Sequence, residues 1–345
     1  MVKITRRTAT AGLAATALAG LASPALGQGK GKIVVYTVNP ETDLNRMIND
    51  EFTKRTGIEV SLLIIPAVGT AASRIRSEKD RPRADVFAAS PIDFQEALAA
   101  DGLIESYRSP LVTPEMVAKG FAHEKGLWTG WFAHTMCFFW NNERIAKDFT
   151  PKGISTPKTW EDLLKPEYQG QLVTSDTRTS STGVVLLATQ IFRSNEEKAF
   201  EYIRALHKNI KLYTPSAPLT VTLVERGEAP IGIFLLGDVL SAKYNRKQPI
   251  DFIVPQENTA NVWTASIIKG GPNTEGAKKY IDYLMSEYPQ ELNAKIGFRY
   301  PINPKAKSVE GAPPLSSIKL VKYDTAFVAA NLDRLRKRWT VETGQ

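Results

Sequence analysis

The period of the hydrophobic pattern switches back and forth along the chain in a regular way. Ile33 to Tyr36 is a short, β-branched apolar run and reads as a buried strand. Thr37-Val38-Asn39-Pro40 follows as a loop. Leu44, Met47, Ile48 and Phe52 then recur near helical spacing, and Gly57 ends that helix. Residues 59–65 read as a strand, 66–70 as a loop and 71–79 as a helix. Residues 85–89, the turn Ser90-Pro91 and the helix 92–100 repeat the unit a third time. Alternation of this kind predicts an α/β fold, a mostly parallel sheet with helices on both faces. Such sheets bind ligands beyond the carboxyl ends of their strands, where Thr37, Asn39, Thr70 and Ser90 fall.

The later chain continues the pattern. Residues 127–141 form a long aromatic stretch that reads as a strand crossing between two domains. Strands are expected at 171–173, 211–213, 231–236 and 251–254, with helices at 184–192, 196–208 and 219–226. Residues 262–269 read as a strand crossing back, followed by helices at 275–286 and 289–296. A last helix is expected from Tyr323 to Trp339. Its basic residues Arg334, Arg336, Lys337 and Arg338 would then sit where the helix dipole favours cations.

One stretch carries most of the chemistry. Thr174 to Gly183 (TSDTRTSSTG) stands where a strand hands over to a helix. The first N–H groups of a helix have no partner inside it, and the positive end of its dipole lies there. Ser180, Ser181 and Thr182 add hydroxyls, and Gly183 allows close backbone approach. The run suits an anion. It equally suits a helix cap without any ligand.

Composition narrows the setting. Lys3, Arg6 and Arg7, the small apolar run 9–22 and the segment Ala25-Leu26-Gly27 read as an export signal cleaved near Gly27. Arg6-Arg7 after Thr5 resembles a twin-arginine signal, although Ala9 and Thr10 stand where that signal prefers bulky apolar residues. The signal holds three basic residues and no acidic ones, so +5 of the chain's +8 remains on residues 28–345. That mild charge suits an anionic solute and argues for no nucleic-acid partner. A single cysteine, Cys137, excludes an internal disulfide and reads as a buried, inert thiol. The mature length favours two domains.

The ordered series VVYT (34–37), EFTKRTGIEV (51–60), ASRIRSEKDRPRADVFAAS (72–90), GLIESY (102–107), TPKTWEDLLKPEYQGQL (156–172), SDTRTSSTG (175–183), GEAPIGI (227–233) and IIKGGPNTEGAKKYIDYLMS (267–286) resembles a known family. It is similar to the periplasmic solute-binding proteins of ABC importers, in the group that binds ferric ion, thiamine, phosphonates and sugar phosphates. The resemblance implies a type II binding protein with two doubly wound α/β lobes and a ligand cleft between them. It also implies hinge closure, delivery to an inner-membrane ABC permease and a periplasmic location. The expected lobes are 28–130 with 264–310, and 131–263 with 311–345; a monomer is the expected state.

Iron binders of that group carry two adjacent tyrosines after the strand matching Ile231 to Leu236, where this chain has Gly237-Asp238. His123, His134 and His207 show no metal-ligand spacing. No metal or other cofactor is therefore expected. Asp238 and Glu257 can accept from hydroxyls or pair with an amine. Asp238 can also cap a helix beginning at Val239, and Glu257 can be a solvated turn residue. Trp263 can stack on a ligand, and Arg178 can pair bidentately with a phosphate. No GxSxG elbow, P-loop or HExxH occurs, and Ser180 and Ser181 have no histidine partner in chain order. The expectation is a non-enzymatic capture protein for a small anionic organic solute bearing a phosphate or phosphonate. A ferric-ion binder, a thiamine- or polyamine-type cation binder and an exported hydrolase are the alternatives.

Overall fold

A computed structural model describes residues 31–39 and 42–345; the expected export signal lies outside the described residues. The strands in chain order are β1 (Lys32–Thr37), β2 (Glu59–Ile64), β3 (Val86–Pro91), β4 (Ile104–Glu105), β5 (Thr129–His134), β6 (Met136–Asn141), β7 (Leu172–Ser175), β8 (Ile210–Thr214), β9 (Ile231–Leu235), β10 (Ile250–Ile253), β11 (Asn261–Ile268) and β12 (Tyr300–Pro301). They form two mixed sheets. The first has the order β12-β5-β11-β3-β1-β2, with β4 on β11. The second has the order β10-β6-β9-β7-β8.

The expectation of mostly parallel sheets holds only for one triplet in each. β1 runs parallel to β2 and β3, and β7 runs parallel to β8 and β9, as helical crossovers require. β6 and β11 arrive by crossing between lobes; β6 pairs antiparallel with β9 and β10, and β11 with β3 and β5. The expected single strand over 127–141 is two strands that change sheet at Thr135. The expected boundaries after 130 and after 263 fall inside β5 and β11. Pairing of Trp263 with Phe132 and Val262 with Ala133 holds both strand ends in the first sheet.

Each sheet is covered by the apolar faces that the periodicity marked. In the first lobe Val35, Val86 and Ile267 lie under Leu44, Ile48 and Phe52 of the helix Thr42–Thr56. In the second, Phe138, Leu172 and Ile231 pack with Trp160, Tyr168 and Leu186. Each such side chain, fully buried, contributes about 1.5–3 kcal/mol relative to exposure.

The final helix is longer than expected, Thr325–Thr343. Its basic run therefore lies mid-helix and not at the dipole's negative end. Acidic partners explain the run instead: Arg334 meets Glu196 at 2.5 Å and Arg338 meets Glu197 at 2.6 Å, while Arg204 reaches Glu342 at 2.6 Å. Beneath these pairs Leu335 and Trp339 bury against Leu187, Ile191 and Phe200. The helix also touches Ile92–Ala100 of the first lobe.

Asn258 joins all three connections between the lobes. Its amide nitrogen donates to the Met136 carbonyl at 2.7 Å, and its side-chain oxygen accepts from Met136 N–H at 3.2 Å. Its own N–H donates to the Lys319 carbonyl and its carbonyl accepts from Val321 N–H. The residue is fully buried. An alanine there strands both polar groups of Met136, so Asn258→Ala is expected to lower unfolding stability by about 3 kcal/mol, measured by urea denaturation. A loss under about 0.5 kcal/mol would refute this role.

The pairs on the final helix set a pH response. The Arg338 hydrogen bond holds Glu197 below the ordinary glutamate value; Arg334 does the same for Glu196 and Arg204 for Glu342. A depressed carboxylate stabilises the fold above its unfolded pKa and ceases to do so as pH falls through its folded one. Melting temperature should therefore fall as pH drops below about 4.5, and less steeply in Arg338→Gln. Equal slopes for the two proteins would count against it.

Candidate ligand cleft

Between the lobes lies a cavity of about 300 Å³. The first lobe contributes Ile92, Asp93 and Phe94, at the start of the helix Ile92–Ala100. The second contributes Ser181 and Val184, at the start of the helix Ser181–Arg193. Trp263 of β11 and the final helix close the remaining sides. Its walls are mostly apolar, with a few polar groups pointing in, the usual build of a small-molecule site.

The Ser/Thr run divides between cap and cleft. Ser180 is the cap: its side-chain oxygen accepts from Thr182 N–H at 3.2 Å. Thr182 is buried in the first turn. Gly183 lets the helix approach its own loop, since a Cβ would lie 2.7 Å from the Ser175 carbonyl oxygen and the Asp176 carbonyl carbon. Ser181 alone of the four is exposed, and it faces the cavity.

Several expected ligand groups are occupied by the protein itself. Arg178 forks onto Asp176, with Nη2 at 2.5 Å, and lies 5.6 Å from the Trp339 ring. Burial would raise the Asp176 carboxyl, but the Arg178 hydrogen bonds outweigh it and hold the group below its ordinary range. Glu257 has a left-handed backbone, φ 56°, and meets Lys319 at 2.7 Å and Arg193 at 3.4 Å, beside the hinge and away from the cavity. Thr37 accepts from Asn39 N–H, Asn39 is bonded to Asn45 and Arg299, and Ser90 donates to the Pro91 carbonyl. These three shape the strand-end loops and are buried. Thr70 is exposed in the helix Val68–Ser77.

Asp238 is not a helix cap. It stands inside the short helix Leu236–Leu240, whose cap position is Leu235. It is exposed to solvent, although protein atoms crowd its carboxyl, and it does not line the cavity. That setting raises its carboxyl, against the pull of Arg299 and Arg246. Trp263 is stacked on Phe132, ring centres 5.8 Å apart, and its indole N–H has no hydrogen-bond partner.

Two side chains, Arg299 and Asp93, escaped the sequence reading. Arg299 is buried, its guanidinium 4.4 Å from the Phe132 ring centre, so Trp263, Phe132 and Arg299 form one column. A charge inside the apolar segment 296–302 was its available signal. His134 beside this column is half-buried, and desolvation with the Arg299 charge pushes it down to about 3, so it is neutral. Asp93 lines the cavity next to Tyr323, where burial raises its carboxyl and only backbone N–H groups oppose that. Its signal was its place in the third strand–loop–helix unit.

Two α/β lobes joined at a hinge, with helix starts from both facing one cavity, define a cleft-binding protein for small solutes. The chain belongs to the bacterial extracellular solute-binding proteins, whose family model matches residues 81–326. An uncharacterized Haemophilus influenzae protein is 31% identical over 350 residues, covering 99% of this chain and 97% of that one. A Salmonella typhimurium periplasmic protein, provisionally named for 2-aminoethylphosphonate binding, is 24% identical over 263 residues, 73% of this chain and 72% of its own. The structure of the periplasmic binding protein AfuA from Actinobacillus pleuropneumoniae, with exogenous fructose 6-phosphate bound, is 29% identical. It superposes with a TM-score of 0.70 over 91% of this chain and 99% of that one. Ferric-iron-binding proteins are among the more distant relatives. The protein is thus the substrate-binding component of an ABC importer, with the type II two-lobed fold.

The roles assigned to the run separate experimentally. Gly183→Ala should destabilise the free protein by about 1–3 kcal/mol, because backbone atoms cannot yield to the added methyl. Ser181→Ala should stay within about 0.5 kcal/mol. Chemical denaturation measures both; equal losses would refute the division.

Proposed function

We propose that the protein captures a small organic solute bearing a phosphate or phosphonate group and passes it to its inner-membrane permease, without turning it over. The observation that carries this reading is Ser181. It is the exposed first residue of a helix whose start points into an inter-lobe cavity, where unpaired N–H groups and the dipole favour an anion. Arg336 adds positive charge on the same side, its Nε donating to the Thr177 carbonyl at 3.2 Å. The bound sugar phosphate in AfuA, at 29% identity across the whole fold, supports an anionic organic ligand. Gly237-Asp238 stands where the iron binders of the resembling group carry two adjacent tyrosines, which favours this reading over iron.

Thermal-shift measurements should show stabilisation by fructose 6-phosphate or 2-aminoethylphosphonate, growing with concentration as binding to the folded state requires. Ser181→Ala should weaken that binding about three- to tenfold. Stabilisation by ferric ion with none from any phosphate or phosphonate would end this proposal.

A further inference from the structure

A second cavity, of about 310 Å³, lies on the second lobe and shares no lining residue with the cleft. It sits where the helix Ser181–Arg193 ends and the helix Glu196–His207 begins, and Glu257, next to the hinge residue Asn258, also lines it. The helix Ser181–Arg193 therefore has one end at the cleft and the other at this cavity.

Two buried donors in its wall are unmet. Gln190 is 1% exposed, and its side-chain oxygen accepts from Arg193 Nη1 at 2.6 Å. A guanidinium can only donate, so this contact fixes which end of the amide is oxygen. The other end, Nε2, has no hydrogen-bond partner. Arg193, its side chain 10% exposed, stands 5.4 Å from the Trp160 ring centre. Its Nη2 meets Glu161 at 2.6 Å and Glu257 at 3.4 Å, but its Nε–H has no partner either. Buried donors left unmet are costly, so two of them lining one cavity call for an acceptor.

The charges around the cavity narrow the choice. Lys198, exposed in the first turn of Glu196–His207, makes no salt bridge among the described residues and adds positive charge. The helix start contributes its dipole and open N–H groups. Glu161 and Glu257 line the same cavity and repel a dianion, which weighs against a phosphate group. A carboxylate carries one charge and two acceptor oxygens, one for each donor. A single water takes up about 30 Å³ of liquid, so the cavity also has room for a short alkyl chain beside Ala199 and Tyr202.

We propose that this cavity is a second binding site, for a small monocarboxylate, whose oxygens accept from Gln190 Nε2 and Arg193 Nε while Lys198 supplies charge nearby. The site is independent of what the cleft holds. Arg193 also ties the helix to Glu257, so the occupant lies against the hinge.

Proton–nitrogen NMR of the full chain reads both donors directly, with sodium acetate as the probe and sodium chloride at equal ionic strength as the control. Acetate should move the Gln190 side-chain amide and the Arg193 Nε–H resonances along a saturating curve, with a Kd of about 1–10 mM. Gln190→Met keeps the bulk but removes the donor, and should weaken acetate binding at Arg193 about tenfold. Lys198→Ala, at an exposed position that cannot disturb the core, should weaken it about threefold, and Ser181→Ala should leave it unchanged. Resonances that stay still, or move equally in chloride, mean that water alone meets these donors and overturn the site. An affinity unchanged in both Gln190→Met and Lys198→Ala overturns it as well. Tighter binding of inorganic phosphate than of acetate at the Arg193 resonance overturns the carboxylate assignment.

Discussion

One buried amide organises the relation between the lobes. Asn258 lies on the return crossing, grips Met136 on the outward crossing, and is paired through its backbone with residues 319 and 321 on the third. The three segments thus meet at one residue that has no freedom to leave water-excluded surroundings without losing several hydrogen bonds. A rotation of one lobe against the other would turn about this node, because the sheets on either side are stiffened by continuous pairing. The change of sheet takes a single residue, Thr135, on the outward path, and residues 254–260 on the return. A short tether of this kind permits bending while fixing which faces meet.

The mild charge of the protein is compatible with the charged solute proposed for it. Most ionic side chains near the cleft are already neutralised by neighbours, as Arg178 is by Asp176 and Glu257 by Lys319. What remains available is the dipole and the open N–H groups of helix starts, together with isolated carboxylates. These act in a recess lined with apolar side chains, where the effective dielectric is low and each interaction counts for more than it would in water. Fixed backbone dipoles also need no reorganisation when the solute arrives.

The sequence made the architecture legible to different depths. Strand–loop–helix periodicity located the elements to within a few residues, because buried β-branched runs and helical stripes are local signals. The sheets' mixed direction was hidden, since crossing strands such as β6 and β11 carry the same composition as parallel ones. Within the site, Ser181 and Trp263 were readable from position. Arg178 and Glu257 were misleading because the protein itself meets their charges, Arg178 through Asp176 two residues away and Glu257 through Lys319 and Arg193, far along the chain. Asp93 and Arg299 went unseen because an aspartate opening a helix and an arginine beside an aromatic residue both have ordinary structural uses. Only the cavity around the first and the ring column beside the second set them apart.

The wall contributed by the final helix has a consequence in time. Neither lobe is a continuous piece of chain: the first sheet needs strands from both 32–134 and 261–301, and the cavity needs the helix Thr325–Thr343 as well. Contacts across such distances in sequence form late in folding. The solute-holding surface therefore comes into being only after the helix Thr325–Thr343 has been synthesised. A growing chain that lacks this helix lacks one wall of the cavity, and capture is deferred until the helix has docked.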